Sequence, residues 1–450
     1  FNNKDQPYML KQYKFYYSEL ILGCCFCIVL LFVYWLYSHA LTASIQFDDQ
    51  ANLNGLTTIH GFSTAIDFIF KGIAGPLGRP VALSTFAIQY YAWPDYPEMF
   101  LNWNILIHLL NGSLVFWLAL VLSKTHPSLQ TTKTLVALIT GSIFLLLPIL
   151  ASSSLFIIQR MTTLSATFVF SGILFYSKTR ERSLSNPNNH LLKLSLITVL
   201  FTTLAAFTKE NGALLPVFIL ILEATIFSSK AYSCNHQQWQ RWKTIFLFIP
   251  LITIIAFVIY KTHYSEETIL QRGYTSLDRI AAQGFILWQY LLNAFITSPS
   301  KLGPFHDTLW NLNTKTLALG WFLFSSILLI NILAIYYRKK NRLLSFAILW
   351  FFGGHILESS SIALEFYFEH RNYIPLFGPV LSLISYLFSL KKQKKTIHIA
   401  IASYILLIST ITYQTTTLWG QKLLAAKIWS LENPDSVRAT LHLAKQLEES

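Results

Sequence analysis

The stretch that decides the fold is the apolar run LILGCCFCIVLLFVYWLYSHAL, Leu20–Leu41, which is soon followed by Phe47-Asp48-Asp49-Gln50-Ala51-Asn52-Leu53. The run is long enough to cross a bilayer, because about 20 apolar residues in a helix span the hydrocarbon core. Charged side chains at membrane depth are costly and usually functional. The carboxylate pair therefore predicts a functional site at the outer face of a membrane.

The composition of the whole chain agrees with a membrane protein. Of its 450 residues, 53% are hydrophobic and only 12% are charged, whereas soluble proteins carry about 25% charged residues. Apolar runs of spanning length recur along the sequence, and in lipid a helix satisfies its own backbone polar groups. We therefore expect an all-α polytopic membrane protein.

The net charge of +13 is explained by topology. Lys and Arg gather in short loops, as the cytoplasmic loops of membrane proteins do, and they do not form a nucleic-acid-binding face. No nucleic-acid partner is therefore expected. The basic clusters are Lys4, Lys11 and Lys14; Lys178, Arg180 and Arg182; Arg338, Lys339, Lys340 and Arg342; and Lys391, Lys392, Lys394 and Lys395.

Hydropathy and the basic loops together predict eleven transmembrane helices, with the N-terminus inside and the C-terminus outside. Residues 281–297 are also apolar, but counting them as a span would turn the Arg338-Lys339-Lys340 cluster outward. We therefore expect 263–314 to stay external, with 281–297 as a re-entrant or surface helix. The predicted spans are about 20–41, 98–122, 135–152, 161–177, 191–207, 213–228, 244–261, 316–337, 343–360, 374–390 and 397–415.

This topology predicts a transmembrane domain over 1–415 and an external helical tail over 416–450. Site residues are expected on the external loops 42–97 and 263–314, which are predicted to carry juxtamembrane helices. No metal is predicted, because the Asp48-Asp49 pair with a histidine offers too few ligands at too weak a spacing.

Several polar clusters from separate spans converge on the external side, whereas a random set would divide between the two faces. Convergence at one depth is the main evidence for a site. The clusters are Asp48-Asp49, Arg79, Gln159-Arg160, Lys209-Glu210 and Glu369-His370-Arg371-Asn372-Tyr373, with Arg272, His306 and Asp307 added by the loop 263–314.

These residue types suit glycosyl transfer from a lipid-phosphate donor. Arginine binds phosphate through its planar guanidinium, and a carboxylate within hydrogen-bond reach of an acceptor hydroxyl serves as a general base. Asp48 or Asp49 is the candidate base. The candidates for binding the donor phosphate or sugar are Arg79, Arg160, Lys209, Glu210, Arg272, His306, Asp307, Glu369, His370, Arg371, Asn372 and Tyr373.

Each cluster also has a purely structural interpretation. The aspartate pair is suited to capping a helix, Lys209-Glu210 to a loop ion pair, and Arg160 to snorkelling toward headgroups. The Glu369–Arg371 segment is also compatible with a solvated charge cluster. His108 and Asn111, one turn apart on one predicted span, are expected to form interhelical hydrogen bonds.

The motifs resemble those of GT-C glycosyltransferases, which use polyprenyl-phosphate sugars. They are similar in particular to bacterial relatives of the transmembrane-and-TPR protein O-mannosyltransferases, over about 40–380. The block Glu369-His370-Arg371-Asn372-Tyr373 is the most specific part of the resemblance. The other segments are Phe47–Leu53, Gly78-Arg79-Pro80, His108-Leu109-Leu110-Asn111, Gln159-Arg160-Met161-Thr162, Thr208-Lys209-Glu210-Asn211 and Gly303-Pro304-Phe305-His306-Asp307.

The resemblance implies a GT-C-type fold and a metal-independent, inverting transfer at the external face of a bacterial inner membrane, with an aspartate of the first loop as base. The donor is a polyprenyl-phosphate sugar, no cofactor is implied, and membrane lipids surround the enzyme. The expected acceptor is a Ser or Thr of an exported protein such as a pilin. The family often carries many TPR units after its last span, whereas this chain ends at Ser450 after about one TPR-like helix.

Two alternatives stay open at this point. One keeps the donor and changes the acceptor to a lipid or an envelope glycan. The other is a transporter of polyprenyl lipids or solutes, a class that places charges near the bilayer midplane and often shows repeated halves.

Overall fold

The computed structural model describes residues 6–72, 74–182, 190–228, 235–264, 270–271, 273–299, 302–306, 314–390 and 394–449. Within these ranges every regular element is a helix or a helical turn. The all-α prediction is therefore confirmed for the described part of the chain.

The first half of the chain alternates long apolar helices with short external ones. Its helices are α1 Gln6–Ser38, α2 Phe47–Leu53, α3 Phe62–Lys71, α4 Pro80–Ala87, α5 Pro97–Ser123, α6 Lys133–Leu146, α7 Ser152–Leu155 and α8 Arg160–Arg182.

The second half continues this pattern and ends in two polar helices. Its helices are α9 His190–Ala206, α10 Leu215–Ala224, α11 His236–Lys243, α12 Ile249–Tyr264, α13 Ser276–Phe295, α14 Thr314–Tyr337, α15 Arg342–Gly354, α16 Phe377–Ser389, α17 Lys394–Gly420, α18 Lys422–Glu432 and α19 Val437–Glu448. A π-helical turn, Thr244–Phe248, joins α11 to α12.

Several long apolar helices identify a multi-pass membrane protein. Among the described residues, five helices are long and apolar enough to cross a bilayer, and a sixth span results if the bent pair α6 and α7 is counted as one. The helices α9, α15 and α16 are apolar but shorter, so the total of eleven stays a prediction. The five are Ile21–Ser38, Pro97–Ser123, His236–Tyr264, Thr314–Tyr337 and Lys394–Gly420.

The predicted continuous span over 135–152 is wrong in one respect, because the helix breaks near its outer end. Helix α6 ends at Leu146, and the chain bends by 57° between Lys133–Leu146 and Pro148–Leu155. Leu147 is extended, with ψ of 115°, as expected for a residue whose helical conformation is disfavoured by the proline that follows it. The break separates α6 from the turns and the short helix over 148–159 that precede α8.

Helices α5, α6 and α8 form the centre of the bundle. Helix α5 packs on both α6 and α8, and α6 also contacts α1, α16 and α17. The predicted interhelical role of His108 and Asn111 agrees with the contacts seen: His108 Nε2 lies 3.1 Å from the Leu145 carbonyl, and Asn111 donates to the Thr163 carbonyl at 2.7 Å.

Most of the ambiguous segment 281–297 lies in α13, which ends at Phe295 and is not among the five spanning candidates. Helix α13 packs closely on α14 where Gly284 faces Gly320, and a Cβ on either glycine would overlap the backbone of the opposite helix. Small residues allow such close approach of helix backbones. The surface or re-entrant placement of α13 stays a prediction.

The tail 416–450 folds back onto the bundle. Trp429 of α18 packs edge-on against Trp419, with ring centroids 5.1 Å apart, and also against Phe305 at 6.0 Å. Ser436 caps α19 by accepting a hydrogen bond from the Ala439 amide at 3.1 Å. The last helix is thereby held over the external loops.

Replacing Gly320 with leucine is expected to separate α13 from α14 and to lower the thermal stability of the purified protein. The side chain would collide with the Ala281 backbone, and overpacking of this kind costs about 1–3 kcal/mol. Thermal unfolding in detergent measures the effect. Gly23→Leu is the control, because a Cβ there meets nothing within 4 Å; equal melting temperatures for the two variants would contradict the proposed contact.

Candidate functional site

Ionic side chains from three loops form a connected group, which we call the ionic cluster: Arg79, Lys209, Glu210, Glu358 and Arg371. Arg79 pairs with Glu210 at 2.8 Å, and Lys209 pairs with Glu358 at 3.4 Å. Arg371 Nε lies 4.0 Å from the other carboxylate oxygen of Glu358. Four of the five were predicted from the sequence, and the structure brings those four together.

Arg79 reaches the cluster through an unusual turn. Its own φ is 48°, and Gly75 and Gly78 before it also have positive φ. A Cβ on Gly75 would lie 2.6 Å from Glu210 Oε1 and 2.8 Å from the Arg79 guanidinium. Glycine is thus required at 75 both by its backbone conformation and by the two side chains packed against it.

Glu358 is the member that sequence reasoning missed, because it lay inside the predicted span 343–360. The corresponding helix α15 ends earlier, at Gly354, and Glu358 follows in a loop with only 8% of its surface exposed. The sequence did contain a signal for Glu358: it is a lone carboxylate at the end of an apolar run and is followed by Ser359-Ser360-Ser361. Such an acid is expensive at membrane depth and is therefore usually functional.

Charge balance explains the protonation states in the cluster. Burial raises the pKa of Glu358, but the charges of Lys209 and Arg371 outweigh it and hold the pKa below its usual value. Burial lowers the pKa of Lys209, and Glu358 partly restores it. The neighbouring His370 has a strongly lowered pKa, because of burial and the charges of Lys209 and Arg371, so this imidazole is neutral at pH 7.

The loop 355–368 owes its shape to α13. Arg279 is fully buried and donates to the carbonyls of Ser360 at 2.9 Å and Glu358 at 3.1 Å, and also to that of Leu364. Gln283, one turn further on, donates to the Phe366 carbonyl at 3.1 Å. Arg279 is therefore a second residue that the sequence analysis missed, although it lies on the predicted external loop 263–314.

The two adjacent aspartates occupy different environments. Asp49 is 0% exposed and accepts hydrogen bonds from the amides of Gln46 at 2.9 Å and Ile158 at 2.7 Å. It lies at the third position of α2 and caps the helix from within through the Gln46 amide, whereas the sequence interpretation made the aspartate pair the N-cap itself. Its bond from the Ile158 amide ties the loop after α1 to the segment before α8. Burial raises the pKa of Asp49 to about 7, despite these two amide hydrogen bonds.

Asp48 instead lines a cavity of about 420 Å³ between the first external loop and α19. Burial raises its pKa, the charges of Arg438 and Lys209 lower it, and that of Glu365 raises it, with a net increase. Arg438 pairs with Glu365 at 3.0 Å across this cavity. Other residues that line it are Ile45, Gln46, Gln50, Phe368, Leu441, His442 and Lys445.

Arg160 is engaged in packing. It is 1% exposed, and its guanidinium donates to the Asn104 side chain at 2.8 Å and to the carbonyls of Thr85 at 3.1 Å and Phe100 at 3.0 Å. The Phe86 ring lies 4.3 Å from the guanidinium carbon. We assign it to holding α4, α5 and α8 together, which replaces both the predicted phosphate contact and the headgroup anchor.

The block 369–373 sends its side chains in different directions. Arg371 joins the ionic cluster, whereas Glu369 accepts from the Gly303 amide at 3.2 Å and lies 3.8 Å from His306. The Tyr373 hydroxyl is 2.7 Å from His108 Nδ1 inside the bundle. Tyr373 therefore belongs to the interhelical network and not to the cluster.

Two of the remaining predicted residues, His370 and Asn372, make local contacts. His370 stacks on Phe368 with ring centroids 4.9 Å apart, and Asn372 donates to the Glu369 carbonyl at 3.1 Å. Arg272 and Asp307 lie outside the described residues.

An apolar groove of about 760 Å³ ends beside the loop 355–368. Its walls come from α10, α12, α13, α14 and α15, and its polar end is formed by His355 and Ser359–Ser361. Glu358 lies between these residues in the chain. One loop therefore forms the end of the groove, part of the ionic cluster and, through Glu365 and Phe368, one wall of the Asp48 cavity.

Comparison with known proteins adds no assignment: no protein-family model matches the chain, and no curated protein sequence matches it. Chemically, the arrangement offers a half-buried carboxylate at an open cavity, a partly compensated group of cations, and an apolar groove close by.

We expect Glu358→Gln to destabilise the protein by about 3 kcal/mol, because the variant leaves Lys209 and Arg371 buried beside a neutral side chain. Unfolding by SDS in mixed micelles measures the change in free energy. Glu448→Gln, at an exposed position of α19, is the matched control. A Glu358→Gln protein as stable as this control would rule out an essential carboxylate.

Asp49 makes a pH-dependent contribution to stability with a definite sign. Its pKa in the folded state, about 7, exceeds the ordinary value of 3.8, so its contribution is fully present below about pH 4 and is lost as the pH rises through about 7. The melting temperature of the wild type, relative to Asp49→Asn, should fall over that interval. If the melting temperatures of the two proteins changed with pH in the same way between pH 4 and pH 8, the assignment would be contradicted.

Proposed function

We propose that this protein is a glycosyltransferase of the GT-C type that moves a sugar from a polyprenyl-phosphate donor to a hydroxyl acceptor. The observation that carries the proposal is the loop 355–368, which links an apolar groove, a group of cations and a carboxylate at an open cavity. Transfer from a lipid-linked sugar needs an apolar surface for the polyprenyl chain, cations for the phosphate and a carboxylate for the acceptor hydroxyl.

The apolar groove supports binding of the polyprenyl chain. Its lining is mostly aliphatic and aromatic, with Leu220, Leu251, Phe324 and Phe352 among the contributors, and Asn331 and Arg338 also line it. Helices α12 and α14 belong to spanning candidates, so a hydrocarbon chain can enter the groove from the bilayer. The polar end at Ser359–Ser361 then lies where the donor's headgroup begins.

The ionic cluster supports binding of the phosphate. Three cations, Arg79, Lys209 and Arg371, face two carboxylates, Glu210 and Glu358, and His370 is neutral. One positive charge is therefore left uncompensated. Charge-assisted hydrogen bonds to phosphate are among the strong ones, and they stabilise the phosphate as it leaves with both electrons of the broken bond.

Asp48 is the proposed general base. It takes the proton of the acceptor hydroxyl while the oxygen attacks the anomeric carbon, and the bond from that carbon to the phosphate oxygen breaks. Polyprenyl phosphate leaves, and the configuration at the anomeric carbon is inverted. The raised pKa of Asp48 strengthens it as a base, and its position in the cavity gives an acceptor access. Asp49, enclosed by two backbone amides, acts as a positioning residue.

The proposed acceptor is a Ser or Thr of an exported protein such as a pilin, and the proposed location is a bacterial inner membrane with the site facing the periplasm. The cavity of about 420 Å³ accommodates a single residue and sugar more readily than a preassembled glycan. The donor itself supplies the sugar, so the reaction needs no separate cofactor.

Asp48→Asn is expected to reduce sugar transfer by at least about 100-fold, the usual contribution of a general base, while the folded protein accumulates normally. Mass spectrometry of exported proteins and envelope lipids measures transfer in cells with the wild type, with the variant and without the gene. Asp67→Asn makes the same chemical change at an exposed site of the same external loop and should retain activity.

The experiment distinguishes a protein acceptor, a lipid acceptor and the absence of the proposed activity. A glycan lost from proteins supports the protein acceptor, and one lost only from envelope lipids moves the acceptor to a lipid while the transferase proposal stands. Full transfer by Asp48→Asn, or glycans unchanged in cells without the gene, overturns the proposed activity.

A further inference from the structure

A second groove runs along the opposite end of the bundle and takes no part in the proposed reaction. It has a volume of about 890 Å³ and lies between α15 and α16. Its walls are apolar and open to the outside: Leu344, Leu383 and Tyr386 are 59%, 44% and 56% exposed. Ala347 and Pro379 also line the groove, together with Phe295 at the end of α13 and Ser382.

One end of this groove is strongly basic. Lys339 and Lys340, from the turn between α14 and α15, form its rim together with Arg342, the first residue of α15, and His126 from the turn between α5 and α6. Lys339 and Lys340 are exposed. Residues 124–133 and 338–347, which supply this rim, contain six Lys or Arg and no Asp or Glu.

The dimensions match one leaflet of a bilayer. The groove follows α16 from Pro379 to Ser389, a rise of about 15 Å at 1.5 Å per residue. Half of a hydrocarbon core of about 30 Å is the same length. Basic short turns of this kind face the cytoplasm, so the cationic rim lies at the headgroup level of the cytoplasmic leaflet.

We infer that this groove is a binding site for an anionic glycerophospholipid of the cytoplasmic leaflet. The phosphate lies against Lys339, Lys340 and Arg342, and an acyl chain follows α16 past Ala347 toward Pro379. Charge complementarity selects the headgroup, because basic pockets between helices on the cytoplasmic side bind anionic lipid headgroups. The apolar walls select a lipid over a free phosphate. The site is independent of the proposed sugar transfer.

Native mass spectrometry of the detergent-purified chain, titrated with phosphatidylglycerol or with phosphatidylcholine of the same acyl chains, tests this site. The wild type should bind phosphatidylglycerol about tenfold more tightly, and Lys339→Gln/Lys340→Gln should lose most of that preference. The matched control is Lys394→Gln/Lys395→Gln, which removes the same charge from another basic turn and should keep it. A preference equal to wild type in the first variant, or equally lost in both, overturns the site.

Two further measurements separate the lipid from its headgroup. Ala347→Phe fills the groove without changing its charge and should weaken binding of both lipids at least several-fold. Glycerol 3-phosphate at the same concentration should not displace phosphatidylglycerol, since it lacks the chain. Displacement by glycerol 3-phosphate, or unchanged binding in Ala347→Phe, would show a surface phosphate contact and overturn the groove as a lipid site. Unchanged melting temperatures confirm that each variant is folded.

Discussion

The loops that form the candidate site depend on one buried carboxylate, that of Glu358. A charge removed from water is stable only when it is paired and hydrogen-bonded. Glu358 meets the first part of this condition, since Lys209 pairs with it at 3.4 Å and Arg371 lies 4.0 Å away, whereas its Oε2 accepts no hydrogen bond from the described residues. Because Lys209 follows α9 while Glu358 and Arg371 both lie in the connection between α15 and α16, a single electrostatic requirement determines how these two loops are arranged.

Backbone polar groups impose a second requirement on the same loop. Residues 355–368 leave helical conformation within a largely apolar surrounding, and buried carbonyls there need donors. Arg279 and Arg371 supply them: Arg279 donates to the Ser360 and Glu358 carbonyls, and Arg371 donates to those of Glu365 at 2.7 Å and Phe366 at 2.8 Å. The two arginines thus serve the backbone as well as the charge balance.

Hydropathy predicted much of the helical framework. The predicted spans 98–122, 316–337 and 191–207 lie within two residues of helices Pro97–Ser123, Thr314–Tyr337 and His190–Ala206, because each is a continuous apolar segment with a polar break at both ends. Two predicted spans extend beyond the observed helices. Pro148 breaks the predicted span 135–152, and the helix predicted over 343–360 ends at Gly354, just before the polar residues His355 and Glu358–Ser360.

The candidate site was predictable as a set of residue types and less so as a geometry. Lys209, Glu210, Arg79 and Arg371 were identified because charges near a membrane are conspicuous. Which of them pair was not predicted, and Glu358 was missed, since pairing depends on how distant loops meet. Arg160 shows the opposite case. It is as conspicuous in the sequence as the other charges, but its guanidinium donates hydrogen bonds to the Asn104 side chain and two backbone carbonyls.

The contrast between Asp48 and Asp49 follows from helical geometry. Successive residues of a helix point about 100° apart, so two adjacent carboxylates in α2 cannot share one environment. Asp49 turns inward, where the amides of Gln46 and Ile158 hold it, and this contact fixes the orientation of α2. With α2 fixed, Asp48 is directed into the cavity beside Glu365 and Arg438. The two aspartates therefore have different roles: Asp49 anchors α2, and the anchored helix directs Asp48 into the cavity.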